Sequence, residues 1–412
     1  MGNGPASGSF PDIASTGTSS DPGAFGKRAS SAAKGNDMSA RFRSKIAAAL
    51  AVSGLAACSP RTPAPPPKPI VTVAAPLAPA AAPVAAARTS TIAASAAPVG
   101  QAINTAAPPL APAPAAAPDP IQERDRLIKI EVLLDRAHFS PGVIDGRDGD
   151  NLHRAIAAFE AAHGTPAAGA VDPALWTALT TADAAPVVTD YVIGADDVKG
   201  PFLGKVPTDM KAMAKLPHMG FSGPLEGLAE KFHMDPALLK ALNPGADFGL
   251  AGSTIIVAAS GGPPLPAPVL RIEVDKSAQQ VRAFDAAGAL EAVYPATVGS
   301  QERPAPSGVW AVRAVAPRPD YTFDPSRLTF GKSKKVLTIA PGPNNPVGST
   351  WIALTKDTYG IHGTPDPSLV GKRASHGCVR LTNWDARQLG AAVKKGAAVA
   401  FVGVETRAKT VG

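Results

Sequence analysis

The chain has 412 residues, a net charge of +7, 44 Pro, 39 Gly, two Cys and only 5% aromatic residues. That length holds two to four domains, and a Pro content about twice the usual share of roughly 5% assigns part of it to linker. The positive charge fits acidic surroundings (nucleic acid, anionic lipid, an anionic polymer) or simply a solvated basic surface. With few aromatics and no basic run interleaved with them, nucleic acid is set aside as a partner.

Residues 1–37 are rich in Gly, Ser and Ala and lack apolar periodicity. They read as disordered, or as sequence upstream of a true start at Met38. Arg41, Arg43 and Lys45 then form a basic region, and Ile46 to Leu55 is apolar but too short to span a bilayer. Leu55-Ala56-Ala57-Cys58 closes this stretch and resembles the bacterial lipobox. The resemblance implies a lipoprotein signal over 38–58, cleavage before Cys58 and lipidation of its thiol. An ordinary signal peptide with an incidental Cys is the plainer alternative. Ser59 at the next position implies the outer membrane of a diderm envelope, hence a periplasmic compartment.

Residues 59–120 are a Pro/Ala-rich stretch with no acidic residue before Asp119. Such composition reads as a linker that buries no core; about 60 residues would reach ~190 Å as polyproline II. A small helical unit is expected over 121–182. Leu127, Ile130, Leu134 and Ala137 have helical spacing. Pro141-Gly142 and Asp145-Gly146 mark a loop, and Asn151 is the expected cap of a second helix with Ile156 and Phe159 inside. Asp172-Pro173 opens a third, with Leu175, Trp176 and Leu179 facing inward. The order of apolar and Gly positions resembles the peptidoglycan-binding-like three-helix domain; a helical spacer without ligand is the alternative.

Over 190–258, Tyr191-Val192-Ile193 reads as a strand, Leu225 to Phe232 and Pro236 to Asn243 as helices, and Gly252 to Val257 as a second strand. This βααβ order, with Leu242-Asn243-Pro244, resembles a LysM module. It departs from one through an insertion at about 194–223, a segment available to pack on the domain that follows instead.

After the Pro-rich boundary Gly261 to Pro268, the period changes to two. Leu270, Ile272 and Val274 alternate with charged residues. Further strands are expected at Gln280–Phe284, Val309–Val315, Val336–Ala340 and Trp351–Leu354. A mainly β domain over 268–404 follows, large enough for its own core. It ends in a helix with Asn383 as N-cap, Ala386, Leu389 and Val393 as the buried stripe and Gly396 as the stop.

This last domain holds Ile361-His362-Gly363-Thr364 and Ser375-His376-Gly377-Cys378-Val379-Arg380-Leu381. A Cys flanked by Gly and His, with a second His upstream, has the residue types for nucleophilic acyl transfer. Together with Pro306-Ser307-Gly308 and Asn345-Pro346-Val347-Gly348, the motif resembles the L,D-transpeptidase (YkuD) catalytic domain. The fold class expected is therefore multidomain α+β with a β-sandwich-like catalytic domain at the C-terminal end.

The resemblance implies Cys378 as nucleophile and His362 as base and then acid, its ring oriented by the Gly363 carbonyl. An imidazolium beside Cys378 is expected to lower the thiol's pKa. The N–H groups of Gly377 and Cys378 are oxyanion-hole candidates, and Ser375 and His376 shape the loop. Arg380 is placed either to bind a stem-peptide carboxylate or to form a surface ion pair, and Asn383 joins it as a substrate-binding candidate.

Three alternatives stand beside this reading: a zinc site of His362, His376 and Cys378, an inert buried thiol, and a degenerate domain used only for wall binding. The substrate implied is the peptidoglycan stem peptide, with glycan bound by the accessory modules. The acceptor is another stem, an amine-bearing protein, or water in an L,D-carboxypeptidase. No metal or organic cofactor is called for. Both Cys lie in motifs that need a free thiol, so no disulfide is expected.

Overall fold

The computed structural model describes residues 93–109, 119–299, 304–326, 333–372 and 377–404. The expected signal, Cys58, Ser375 and His376 lie outside them. The first described element is a helix, α1 (Ala93–Asn104), inside the stretch expected to be linker. That expectation is corrected for its last part. Ile103 is fully buried, and Asn104 Oδ1 accepts from the amides of Val187 and Val188 at 2.8 and 3.0 Å. Tertiary bonds to a segment more than 80 residues away, not local periodicity, hold this Ala-rich helix around Pro98.

Three helices follow: α2 (Pro120–Arg136), α3 (Asp150–Ala162) and α4 (Pro173–Ala182). Asp119 caps α2 and Asp172 caps α4, accepting from Leu175 N at 2.7 Å. The expected inward residues Leu127, Ile130, Leu134, Ile156, Phe159, Leu175, Trp176 and Leu179 are all buried. Asn151 is not the cap of α3; Gly149 precedes the helix and Asn151 lies in its first turn. Its amide is used elsewhere, donating to the Val370 carbonyl of the C-terminal domain at 2.9 Å.

Strand β1 (Val188–Val192) pairs antiparallel with β2 (Thr254–Ala258). Between them come two one-turn helices, α5 (Ala195–Val198) and α6 (Met210–Met213), then α7 (Pro224–Lys231) and α8 (Pro236–Leu242). Asn243 locks α8 to the sheet. Its Nδ2 donates to the Leu239 and Ile256 carbonyls at 2.9 and 2.7 Å, and its Oδ1 accepts from Ile256 N at 2.6 Å. The helical unit and this βααβ unit, separate in sequence, share one core that runs from Ile103 through Leu134 and Ile156 to Leu239 and Val257.

The remaining strands are β3 (Val269–Asp275), β4 (Gln280–Phe284), β5 (Leu290–Pro295), β6 (Thr297–Val298), β7 (Gly308–Pro317), β8 (Tyr321–Phe323), β9 (Leu337–Ile339), β10 (Thr350–Leu354), β11 (Gly360–His362), β12 (Val379–Arg380) and β13 (Val393–Val402). Nine of them form a mixed sheet in the order β5-β4-β3-β13-β7-β10-β11-β12-β6, and β8 and β9 make a separate ribbon. The long β7 serves both halves: Gly308–Ala311 pair with β13, and Val312–Pro317 pair with β10. Side chains from both halves, Ile272 and Val281 on one side and Ile352, Ile361 and Val379 on the other, enter one core.

The C-terminal helix α9 (Asn383–Ala392) packs on β10. Two details correct the sequence reading. Thr382, not Asn383, is its N-cap, accepting from Asp385 N at 3.1 Å. Val393 and Gly396 belong to β13, where Gly396 lies at the register shift between Val393 and Ala398.

The edge strand β5 is covered by the helical unit. Ser140 N donates to the Val293 carbonyl at 2.9 Å, and Val293 N donates to the His138 carbonyl at 2.8 Å. An edge that would otherwise offer unpaired backbone groups is thereby closed.

Candidate active site

The site is built on two parallel strands. Ile361 lies opposite Val379 and His362 opposite Arg380. Ile361 and Val379 point into the core. Side chains alternate along a strand, so His362 and Arg380 project from the other face, and Cys378, one residue before β12, projects with them. The register is pinned where Leu381 N donates to the His362 carbonyl at 2.8 Å.

Gly377 precedes the cysteine with φ +108°, in the region that favours glycine. A Cβ there would lie 3.2 Å from Cε1 of Tyr359, whose ring covers the turn. Cys378 is half-buried, and its Sγ lies 3.8 Å from the Thr358 carbonyl. Thr358 holds φ +67°, a strained conformation for a β-branched residue. The Gly360 amide also faces the thiol and favours its ionised form, as does the charge of Arg380, but burial outweighs both and raises the Cys378 pKa.

His362 is 4% exposed. Its Nδ1 lies 2.6 Å from the Gly363 carbonyl. A carbonyl only accepts, so Nδ1 carries the proton and Nε2 keeps its lone pair. Trp351, directly across on β10, stacks on the ring at 5.4 Å and 23°. Burial, aided by the charge of Arg380, pushes the His362 pKa down to about 3. The resting pair is therefore a neutral thiol and a neutral imidazole. This corrects the expected thiolate beside an imidazolium: burial and the Arg380 guanidinium both oppose a cation on the ring.

Arg380 is largely shielded rather than on the open surface. Its charge is felt by Cys378, and Asp366 and Tyr321 act on it in turn. Tyr321, on the β8–β9 ribbon, is pushed up to about 12 by burial and by the Cys378 charge, so its phenol stays protonated. Asn383 is fully buried and bonded within the protein: its Oδ1 accepts from Ser349 N at 2.9 Å, and its Nδ2 donates to Glu230 and to the Pro343 carbonyl. That is a scaffold position rather than a substrate-facing one.

Among the described residues, no group of three His, Cys, Asp or Glu is arranged to hold a metal. The zinc alternative also needs His376, which lies outside them. Residues that sequence reasoning left without a role are Trp351, Thr358, Gly360 and Tyr321. Tyr359-Gly360 adjoins the His motif directly, a usable signal; Trp351 and Tyr321 are brought in only by strand pairing and the ribbon.

Residues 270–401 match the L,D-transpeptidase catalytic domain (YkuD), and residues 123–179 match a family described as "Putative peptidoglycan binding domain". The chain is 30% identical over 180 residues to the "Putative L,D-transpeptidase YkuD" of Bacillus licheniformis, covering 43% of this chain and 92% of that relative. It is 27% identical over 197 residues to the "Probable L,D-transpeptidase YbiS" of Escherichia coli K12, covering 46% of this chain and 64% of that relative. The crystal structure of L,D-transpeptidase 3 from Mycobacterium tuberculosis is 16% identical with a TM-score of 0.28, covering 37% of this chain and 76% of that one. With its Cys and His motifs set on adjacent strands of the matched domain, the chain belongs to the L,D-transpeptidase (YkuD) family.

Proposed function

We propose that this enzyme remodels peptidoglycan by cysteine acyl transfer, with Cys378 as nucleophile and His362 as base. The observation that carries the reading is the bond between His362 Nδ1 and the Gly363 carbonyl at 2.6 Å. It leaves Nε2 free to take a proton, on the strand face shared with Cys378.

As Cys378 Sγ attacks the carbonyl carbon of the third residue of a donor stem, its proton passes to His362 Nε2. The S–C bond forms, and negative charge collects on the carbonyl oxygen. The amides of Gly377 and Cys378 are the candidate donors to it. Collapse breaks the C–N bond to the terminal D-amino acid, whose amine leaves with the proton from the imidazolium. An acceptor amine then attacks the thioester and gives its proton to His362; an amide forms and the thiol returns. A stem diamino acid as acceptor gives a 3→3 cross-link, a protein amine gives wall anchoring, and water gives an L,D-carboxypeptidase. Arg380 supplies a cation for a stem carboxylate. Ser375 and His376 remain assigned to the loop before Cys378.

The units at 121–182 and 190–258 are proposed to hold glycan, the second as a LysM-like module. Cys58 is proposed as a lipid anchor placing the enzyme at the outer membrane, facing the periplasm. The match over 123–179 also favours a plain wall tether as a second reading.

The test is purified enzyme with disaccharide tetrapeptide, read by mass spectrometry, wild type against Cys378→Ala. Dimer from the wild type and none from the variant is expected. Tripeptide alone would assign hydrolysis, and unchanged muropeptides with wild type would leave only the tether.

A further inference from the structure

The catalytic His is oriented by a carbonyl, and the peptide that carries this carbonyl packs on Asn383. Asn383 Oδ1 lies against both Gly348 and Gly363; a Cβ on either would fall well inside contact distance of it. The same oxygen accepts from Ser349 N at 2.9 Å. A side-chain amide has one accepting and one donating end, so its orientation depends on what the donating end finds. Nδ2 of Asn383 donates to Glu230 Oε2 and to the Pro343 carbonyl, both at 3.2 Å. Glu230 belongs to α7 of the βααβ unit, 153 residues away in sequence. Arg387 of α9 lies 3.6 Å from its other oxygen.

The insertion before α7 secures the same region from a second side. Met219 N donates to the Pro341 carbonyl at 2.9 Å, and Asn344 N donates to the Met219 carbonyl at 3.0 Å. Asn344 Nδ2 donates to the Gly220 carbonyl at 2.9 Å and to Glu226 Oε1 at 2.8 Å. The loop so held, 341–348, ends in the Gly348 that touches Asn383.

We propose that Glu230 is a positioning residue for the transpeptidase reaction: through Asn383 it fixes the Gly348–Gly363 contact, and with it the carbonyl that orients His362. The proposal rests on the reading of Cys378 and His362 given above. It makes the βααβ unit part of the catalytic assembly, whatever else that unit binds.

Two near-isosteric variants separate reach from charge. Glu230→Gln keeps the length and an accepting oxygen but loses the charge; Glu230→Asp keeps the charge and withdraws it by one methylene. Turnover of disaccharide tetrapeptide is measured for both, with melting curves and the ¹⁵N shifts of the His362 ring. Glu230→Gln is expected to keep kcat within about threefold. Glu230→Asp is expected to lose about tenfold or more in kcat with KM little changed, since a ~1 Å misplacement of a reacting group costs up to about a hundredfold. The His362 Nδ1 shift should move in the Asp variant and not in the Gln variant.

The opposite order, equal kcat in all three proteins, or an unmoved His362 shift in a folded Asp variant would overturn the proposal. Should the Asp variant melt below the assay temperature, all three proteins are compared below that melting point, where a moved His362 shift in the Asp variant supports the proposal and an unmoved one overturns it. Cys378→Ala, run in parallel, keeps the two claims apart. Turnover in that variant would remove the nucleophile reading. Its absence, with Gln and Asp alike, would remove only the role of Glu230.

Discussion

The neutral resting pair has a kinetic signature. His362 at about 3 is protonated in roughly one molecule in ten thousand at pH 7. Against an ordinary imidazole pKa of 6.5, that depression makes the cation roughly 5 kcal/mol harder to form. The thiol, raised by burial, is ionised to less than the few per cent of an ordinary cysteine. Alkylation of Cys378 by iodoacetamide, followed by intact mass from pH 5 to 10.5, should therefore climb about tenfold per pH unit up to pH 8.5 without levelling off. A small, neutral electrophile brings no proton relay of its own, so its rate reports the thiolate fraction. A plateau with a midpoint below pH 7 would show a preformed thiolate–imidazolium pair and refute the reasoning. Acyl transfer to a donor stem should by contrast be nearly flat from pH 5 to 8, because there the proton moves to Nε2 during attack.

Three further outcomes follow from the geometry. Gly363→Ala drives a Cβ into Asn383 Oδ1 and displaces the carbonyl behind His362; steady-state assays should show kcat lowered by about a hundredfold. Trp351→Ala uncovers the His362 ring, and ¹⁵N titration should find its pKa raised from about 3 toward the ordinary value. Glu230, pushed to about 7 by burial, stabilises the fold fully only below its unfolded value of 4.5, and that contribution is lost as pH rises through 7. Glu230→Gln should therefore gain stability relative to wild type between pH 4.5 and 8, by on the order of 3 kcal/mol in urea unfolding; a difference that does not change with pH would contradict this.

Local signals account for what the sequence made legible. Strict alternation exposed β3, and Asp172-Pro173 gave the start of α4. The His-Gly and Gly-Cys pairs pointed to the chemistry before any strand order was known. What escaped is held by contacts distant in sequence. α1 owes its place to Asn104 and the β1 backbone. The spacing of Ala386, Leu389 and Val393 continued a helix on paper, while Ala397, Val399 and Phe401 alternate as buried residues of β13. The thiol and imidazole pKa shifts come from burial in the folded site, with the Arg380 charge adding to the imidazole's, and no residue pattern near His362 or Cys378 spells that out.

The parallel pairing of β11 and β12 separates two properties that many active sites keep entangled. Neighbouring parallel strands must be joined by a crossover of a dozen or more residues, and here it spans 363 to 378. The distance between base and nucleophile is set by hydrogen-bonded register, as between His362 and Leu381, and not by the length of chain between them. Changes of length within 364–372 leave that register in place. Descendants of this scaffold can thus vary that connection while the two reacting strands stay a fixed point.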